Sequence, residues 1–291
     1  SSDLSRPVFA LLDDEAARLA ARRRALSPER LRRRLSSLLV LPPWERGRVG
    51  VPAYRVPRPV SHAGQTWARY AVETEGSLRA ILKKRLVNPA WGHTLDVEAE
   101  VHLFLPHVGT EDDVAGNAWA QGLNPGGTLY AVDVRGLGES EPEPHGNGGF
   151  FQPYGMDYMM HSQALMFGES YLGRRVFDVL RCLELLCHEG AEAVHLHGRG
   201  QGALLALFAG VLHPQVRTVE LRNAPDAYRD WVRAPLVAWP AAAMLRGVLK
   251  YFDLPDLRAL LGDRLTSSEP WGPDMQPLSA AAAPETRARP S

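Results

Sequence analysis

One short stretch of the chain combines a strand-like run, a glycine turn and an apolar helix. Residues 195–207 read HLHGRGQGALLAL. This order is typical of G-x-S-x-G, a strained strand-to-helix turn that exposes a nucleophilic serine. Here the frame is Gly198-Arg199-Gly200-Gln201-Gly202, so a glycine stands at the nucleophile position. The turn either offers backbone N–H groups to an anion at a helix N-terminus, or it holds no ligand.

Polar side chains flank this turn. Arg199 and Gln201 could reach an oxyanion or a carboxylate, which a guanidinium binds in bidentate fashion. A surface ion pair with an acid such as Glu139 is the alternative for Arg199. The glycine spacing differs from G-x-G-x-x-G, and Glu220 falls inside the next predicted strand, which argues against a dinucleotide site. No cofactor is expected.

Two histidines precede the turn. His195 and His197 stand two apart on the predicted strand, so both side chains point to one face. H-x-H is also the spacing of a metal-ligand pair, for which Asp133 would supply a third ligand. The alternative is that both rings pack under helices with satisfied nitrogens. Cys182 and Cys187 lie about 140° apart on one predicted helix, so neither a disulfide nor a cysteine metal site is expected.

Further polar residues follow predicted strands or share a predicted helix face. Asp133 and Arg135 end the strand in TLYAVDVRGLGES, where ligands collect in open α/β sheets, and Ser140 is interpreted as a turn hydroxyl. Asp157 and His161 are four apart on a helix and form either a helix salt link or, with Glu169 or His145, an acid/base or metal cluster. Residues 111–113, Glu-Asp-Asp, are interpreted as a solvated acidic loop.

The elements that must position these residues alternate along the chain. Residues 66–86 predict a hairpin around Glu75-Gly76, and strands at 97–106, 128–134, 193–197 and 216–222 alternate with helices at 176–186 and 202–212. Such alternation predicts a mostly parallel sheet with helices on both faces. We expect a helical extension at residues 1–45, an α/β domain at 46–267 and an irregular tail at 268–291 whose last dozen residues are disordered. RLTSS, at 264–268, is too polar for a core strand.

Bulk composition excludes several classes of protein. Lys plus Arg and Asp plus Glu both number 33, and 45% of residues are hydrophobic, so no overall field favours nucleic acid or an anionic membrane. The arginine-rich run at 22–34 is interpreted as a solvated helix face rather than a nucleic-acid arm. The sequence contains no apolar run long enough to span a membrane and no signal-peptide pattern. It gives no indication of localisation.

Several segments resemble a known family. YAVDVRGLGES is similar to the strand-four segment of α/β-hydrolases. DYMMHSQALMFGESYLGRRVFDVLRCLELL, VHLHGRGQGALLALFAGVLHP and VRTVELRNAP resemble the bacterial acetylxylan-esterase-like branch of that superfamily. FDLPDLRALLGDRL is similar to the segment that introduces strand seven there. The resemblance covers residues 95–275 and implies a three-layer α/β-hydrolase fold.

The resemblance also implies where catalytic groups would stand. Active members use a serine at the elbow, an aspartate after strand seven and a histidine after strand eight. The serine position corresponds to Gly200 and the aspartate to Asp274 in WGPDM, whereas no histidine follows His213. The backbone N–H of His107 corresponds to an oxyanion-hole donor. Asp133 and Arg135 correspond to residues with architectural roles.

Three functions are compatible with this pattern. The first is a carboxylic ester hydrolase with an incomplete Ser-His-Asp triad, in which Asp133, His107 or His197 positions water for weak or non-standard hydrolysis. The second is an inactive pseudoenzyme that binds a partner such as a carbohydrate. The third is a metal-assisted hydrolase built on the histidines. The expected partner is a small-molecule or carbohydrate ester.

Overall fold

A nine-stranded mixed sheet organises the chain in a computed structural model that describes residues 6–87, 92–142 and 154–278. The strands lie in the order β1-β3-β4-β6-β5-β7-β8-β9, and β2 pairs with β3 outside this path. Their bounds are β1 Tyr54–Arg55, β2 Val60–His62, β3 Gln65–Glu75, β4 Leu78–Leu86, β5 Glu100–Leu105, β6 Thr128–Asp133, β7 Ala193–Arg199, β8 Val216–Arg222 and β9 Leu265–Ser268. His145 and the predicted disordered end of the chain lie outside the described residues.

Ten α-helices accompany the sheet in the described part of the chain. Their bounds are α1 Val8–Arg22, α2 Pro28–Leu38, α3 Arg46–Val49, α4 Thr110–Gly116, α5 Ala118–Gln121, α6 Asp157–Met166, α7 Tyr171–Glu189, α8 Gln201–Leu212, α9 Tyr228–Arg233 and α10 Leu254–Leu261. No described helix combines the length and the hydrophobicity that a membrane-spanning helix requires.

The sheet is antiparallel at one side and parallel at the other. β3 and β4 form the predicted hairpin, and β4 then pairs antiparallel with β6. From β6 onward every pairing is parallel, through β5, β7, β8 and β9. Helices therefore connect the parallel strands, as their long crossovers require. The predicted α/β fold, a large sheet with helices on both faces, is confirmed, but the sheet is mixed, with four antiparallel and four parallel strand pairings in the described structure.

The two faces of the sheet differ in how they are covered. On one face α2, α7, α8 and α10 pack over alternate strand residues such as Leu103, Leu196 and Leu221, which are fully buried. The other face carries a smaller core around Trp67 and Phe104 under α4 and α5. Polar strand residues emerge beside that smaller core because successive side chains of a strand alternate between faces.

The polar segment RLTSS does form a strand. β9 pairs in parallel with β8 at the edge of the sheet, and its residues are half-buried or exposed. An edge strand has one unpaired side and less burial, so a polar sequence suffices there. The chain then turns back across the sheet end, where the indole N–H of Trp239 donates to the carbonyl of Gly272 at 2.8 Å.

The first two helices begin and pack as their sequence indicates. Ser27 caps α2 by accepting the N–H of Arg30, and Pro28 occupies the first helical position. Leu35 and Leu39 are fully buried in the main core. Gly190 ends α7 with a positive φ. Cys182 and Cys187 on α7 are free thiols.

Candidate functional site

A strained glycine joins β7 to α8. Gly200 has φ 55° and ψ −117°, a backbone conformation that favours glycine. The flanking glycines let the elements approach closely: a Cβ on Gly198 would lie 2.7 Å from the Cα of Ala203, and one on Gly202 would lie 2.6 Å from the carbonyl oxygen of Pro106. The strand, turn and helix of a nucleophile elbow are therefore present.

The imidazole of His107 fills the space above this turn. A Cβ built on Gly200 would overlap the Nδ1 of His107 and would lie 2.7 Å from its Cγ. The backbone N–H of Gln201 donates to that Nδ1 at 3.1 Å. The histidine ring, from the loop after β5, therefore occupies the place into which an elbow side chain would project.

The ring of His107 is locked by aromatic neighbours. Tyr154 and Trp271 stand edge-on to it, with ring centroids 5.7 and 5.4 Å away. Because Nδ1 accepts a hydrogen bond, the ring proton resides on Nε2, which faces the hydroxyl of Tyr154 at 3.4 Å. Burial lowers the pKa of His107 to about 3, and the charge of Arg199 acts in the same direction. The imidazole is neutral at pH 7, and the lone pair on its Nδ1 already accepts the N–H of Gln201.

The two backbone amides that the resemblance aligns with an oxyanion hole have partners inside the protein. The backbone N–H of Gln201 is taken by the His107 ring, as described above. The backbone N–H of His107 donates to Oδ2 of Asp113 at 2.6 Å. The side chain of Gln201 donates to the carbonyl of His107 at 3.0 Å, which ties the two segments together a second time. Neither amide points unpaired into a cleft.

Arg199 pairs with a buried acid rather than with Glu139. Its Nη1 lies 2.7 Å from Oδ1 of Asp113, and its guanidinium lies 5.3 Å from the ring centre of Trp271. Asp113 is 2% exposed, so the interpretation of this segment as solvated was wrong for that residue. Burial raises the pKa of Asp113 to about 6 against the opposing effect of Arg199. Glu139 instead pairs with Lys83 and Arg69.

A buried arginine lies beneath the elbow, and no local sequence pattern predicted it. Arg175 of α7 forms an ion pair with Asp157 and donates to the side-chain oxygen of Gln201 at 3.0 Å. It also donates to the backbone carbonyls of Arg135 and Gly136. The predicted helix link between Asp157 and His161 is replaced by this pair, because a buried carboxylate needs a close, desolvated cation.

Asp133 and Arg135 hold the loop after β6. Asp133 is fully buried, accepts the backbone N–H of Thr110 at 2.8 Å and pairs with Lys83 at 2.8 Å. Arg135 pairs with Asp178 through two nitrogens. These are the architectural roles that the family resemblance implies, and the hydroxyl of Ser140 binds the carbonyl of Asp133 as a turn group.

His195 and His197 form a cluster with a third histidine. Both face the side of the sheet away from α8, where His102 of β5 lies 3.0 Å from His197 between ring nitrogens. The rings of His102 and His195 stack at 4.8 Å. His197 also contacts Glu220 at 2.7 Å through its other nitrogen. Burial and the two neighbouring histidines lower the pKa of His102 to about 4.

The structure does not assemble the predicted metal ligands. Asp133 binds Thr110 and Lys83. His195 and His197 instead bind Thr218 and Glu220 of the neighbouring strand β8. Across residues 6–87, 92–142 and 154–278, no group of three or more His, Cys, Asp or Glu side chains is arranged to hold a metal ion.

Asp274, which the resemblance aligns with a catalytic acid, makes a hydrogen bond within its own turn. Its Oδ1 accepts the N–H of Gln276 at 3.1 Å, and it lines a shallow depression with Ala234 and Pro235. The indole that reaches the elbow belongs to Trp271, three residues earlier. Trp271 and Tyr154 were missed as site residues, since nothing local in their sequence separates them from ordinary core aromatics.

Solved structures share this architecture. A provisionally assigned acetyl xylan esterase from Bacteroides fragilis superposes with a TM-score of 0.65 at 15% identity, over 92% of this chain and 75% of that one. The chain has the α/β-hydrolase fold. The methylesterase BT1017 gives a TM-score of 0.44 at 12% identity over 89% of this chain and 50% of that one. An acetyl xylan esterase from Paenibacillus sp. R4 gives 0.41 at 16% identity over 71% and 63%. No family model matches the sequence, and no curated protein matches it either.

Proposed function

We propose that this protein is a catalytically inactive member of the acetylxylan-esterase-like lineage of carboxylic ester hydrolases, retained as a binding module. One observation carries the proposal: the His107 imidazole fills the place of the nucleophile at Gly200. The same contact consumes the N–H of Gln201, which would otherwise stabilise an oxyanion.

Weak ester hydrolysis is disfavoured by the same geometry. Enzymes that lose triad residues keep a residual rate of about 10³–10⁴ over water because their oxyanion hole and binding site survive. Here the N–H groups of Gln201 and His107 both have internal partners. The side chains that would position water are also engaged: Asp133 by Lys83, and His197 by Glu220.

A metal-assisted reaction has less support than the binding role. The histidines that suggested it lie on the far face of the sheet, paired with one another and with Glu100 and Glu220. A catalytic zinc site needs three protein ligands converging on one point with an open position. The described donors do not converge in this way.

A substrate panel tests the proposal. Purified protein is incubated with p-nitrophenyl acetate, acetylated xylan and bis-p-nitrophenyl phosphate, each with EDTA and after addition of Zn²⁺ or Mn²⁺. We expect the uncatalysed rate in every arm, because neither a nucleophile nor a free oxyanion hole is available. The variant Gly262→Ser leaves the elbow unchanged and is assayed as the control for the elbow variant His107→Asn.

The outcomes separate the three functions. Ester turnover that co-purifies with the protein and is lost in His107→Asn would contradict inactivity and restore weak hydrolysis. Turnover abolished by EDTA and recovered with metal would establish the metal-assisted reaction instead. A xylan-dependent rise in the melting temperature without turnover would support carbohydrate as the partner, since a ligand that binds only the folded state stabilises it.

A further inference from the structure

A large apolar cavity lies between α1 and the segment 228–250, separate from the elbow. Its volume is about 580 Å³, within the range of small-molecule sites. Helix α1 supplies Val8, Phe9 and Leu12 to one wall. The opposite wall comprises mainly apolar side chains, among them Trp231, Val232, Val237, Met244, Leu245, Val248 and Leu249.

Helix α1 is held at its polar edge while its apolar face stays open. Asp13 pairs with Arg233 at 3.0 Å and lies 3.9 Å from Arg229, both from α9. Ala16 is the one residue of α1 that is buried in the described structure. Leu12, which lines the cavity, is still 47% exposed. Exposed apolar surface around a cavity of this size is typical of a ligand site rather than of packing within a monomer.

A second, polar cavity of about 280 Å³ adjoins the first. The two share Met244, Gly247 and Lys250 as lining residues. The polar cavity adds Arg246 and His161. No described carboxylate lies within salt-bridge distance of Arg246 or Lys250, and Glu15 of the first cavity interacts with Lys250 only over a longer distance. The one acid of the polar cavity, Glu169, is neutralised by Arg174 at 2.5 Å.

One residue that lines this second cavity has a buried polar atom without a partner. The Nδ1 of His161 is buried and has no hydrogen bond within the described residues. The nitrogen is inaccessible to solvent, so it lies behind the wall of the cavity rather than facing into it. Lys250 and Arg246 line this end of the paired cavities and make it suited to an anionic head group.

We propose that the paired cavities bind a single-chain amphipathic anion, with its acyl chain between α1 and the segment 228–250 and its carboxylate beside Lys250 and Arg246. The apolar walls exclude a sugar from the larger cavity, because its hydroxyls would lose hydrogen bonds to water. The cavities do not include the elbow, so this proposal and the proposed inactivity are tested independently of each other.

Calorimetric titration with laurate tests whether the larger cavity binds an acyl chain. We expect saturable binding with one laurate per protein. Leu12→Asp should weaken it at least tenfold, because a carboxylate would enter the apolar wall. Leu11→Asp is the matched control: Leu11 is 52% exposed on the same helix and does not line the cavity, so affinity should change less than twofold.

Head-group recognition is tested with 1-dodecanol, which has the same chain without the charge. The double variant Lys250→Gln/Arg246→Gln should weaken laurate about fivefold and leave dodecanol within twofold, whereas the remote Arg217→Gln should affect neither. Absence of saturable laurate binding up to 1 mM, or equal losses in the Leu11 and Leu12 variants, would overturn the proposal. Sedimentation with phosphatidylglycerol vesicles in the absence of laurate binding would also overturn it, as that would indicate a surface lipid contact.

Discussion

At the scale of single residues, Gly200 and His107 are complementary. The glycine removes a side chain from the elbow and the histidine fills the space that is left, with the Gln201 amide closing the contact. Sequence reasoning singled out both residues, one for its missing side chain and one for its backbone N–H. It could not place the imidazole in the elbow, because the two segments are 94 residues apart and only the tertiary fold joins them.

Restoring the serine should destabilise the protein without creating activity. Gly200→Ser places a Cβ against the His107 ring and also puts a side chain at positive φ, so we expect a loss of about 2–4 kcal/mol in the free energy of unfolding. Gly262→Ser is the matched control: its φ of 54° is nearly the same, but no atom lies within 4 Å of its Cβ.

Urea denaturation of the two variants separates the cost of a side chain at positive φ from the cost of steric overlap with the His107 ring. Gly262→Ser should lower the free energy of unfolding by about 1–2 kcal/mol, the cost of the positive φ alone. Equal losses in both variants would mean that the His107 ring does not occupy the elbow. Acetyl-ester hydrolysis by Gly200→Ser would show that a base exists which the described structure does not reveal.

At the scale of elements, local periodicity predicted most of the sheet. β5, β6, β7 and β8 and the helices α7 and α8 lie where apolar repeats place them, since buried faces impose a period of two or 3.6 on the sequence. The segment of β9 is too polar for a core strand, and it forms an edge strand, which needs little apolar burial. The buried ions were missed because the partner of a buried charge comes from a distant element, as Asp157 does for Arg175.

The pair between α6 and α7 supports the elbow from below. Asp157→Ala would leave the guanidinium of Arg175 buried without a counter-charge, and we expect a loss of about 3–5 kcal/mol in unfolding free energy. Asp226→Ala breaks an ion pair with Arg258 in which the carboxylate is 46% exposed, so it should cost less than about 1 kcal/mol.

Chemical denaturation measures both losses. Comparable values for the two variants would indicate that solvent reaches Arg175 in solution. In that case the elbow would be less rigidly supported than the buried network from Arg175 to Gln201 implies.

At the scale of the whole molecule, buried histidines make the free energy of unfolding depend on pH. His107, with a pKa of about 3, and His102, with a pKa of about 4, stay neutral in the folded protein. In the unfolded chain each binds a proton below about pH 6.5. Stability is therefore complete above that pH and falls as the pH drops towards the folded values. Asp113, whose pKa is raised to about 6, acts in the opposite direction between about pH 6 and 4.

A variant isolates the contribution of His107. Asparagine at 107 can still accept the Gln201 N–H but does not titrate. Between pH 7 and 5 the wild type should lose about 2 kcal/mol more stability than His107→Asn, about 1.4 kcal/mol per pH unit below 6.5. Urea midpoints at several pH values give this difference. Parallel pH profiles would show that the imidazole titrates normally.

The protonation state of His107 tests the central claim most directly. Long-range ¹H–¹⁵N NMR correlations distinguish the two ring nitrogens and follow them with pH. An imidazole lodged in the elbow should show the Nε2–H tautomer at pH 7, with Nδ1 as acceptor, and should remain neutral down to pH 4.5. Titration near pH 6.5 with exchanging tautomers would contradict the account, since the ring would then be exposed and the elbow open.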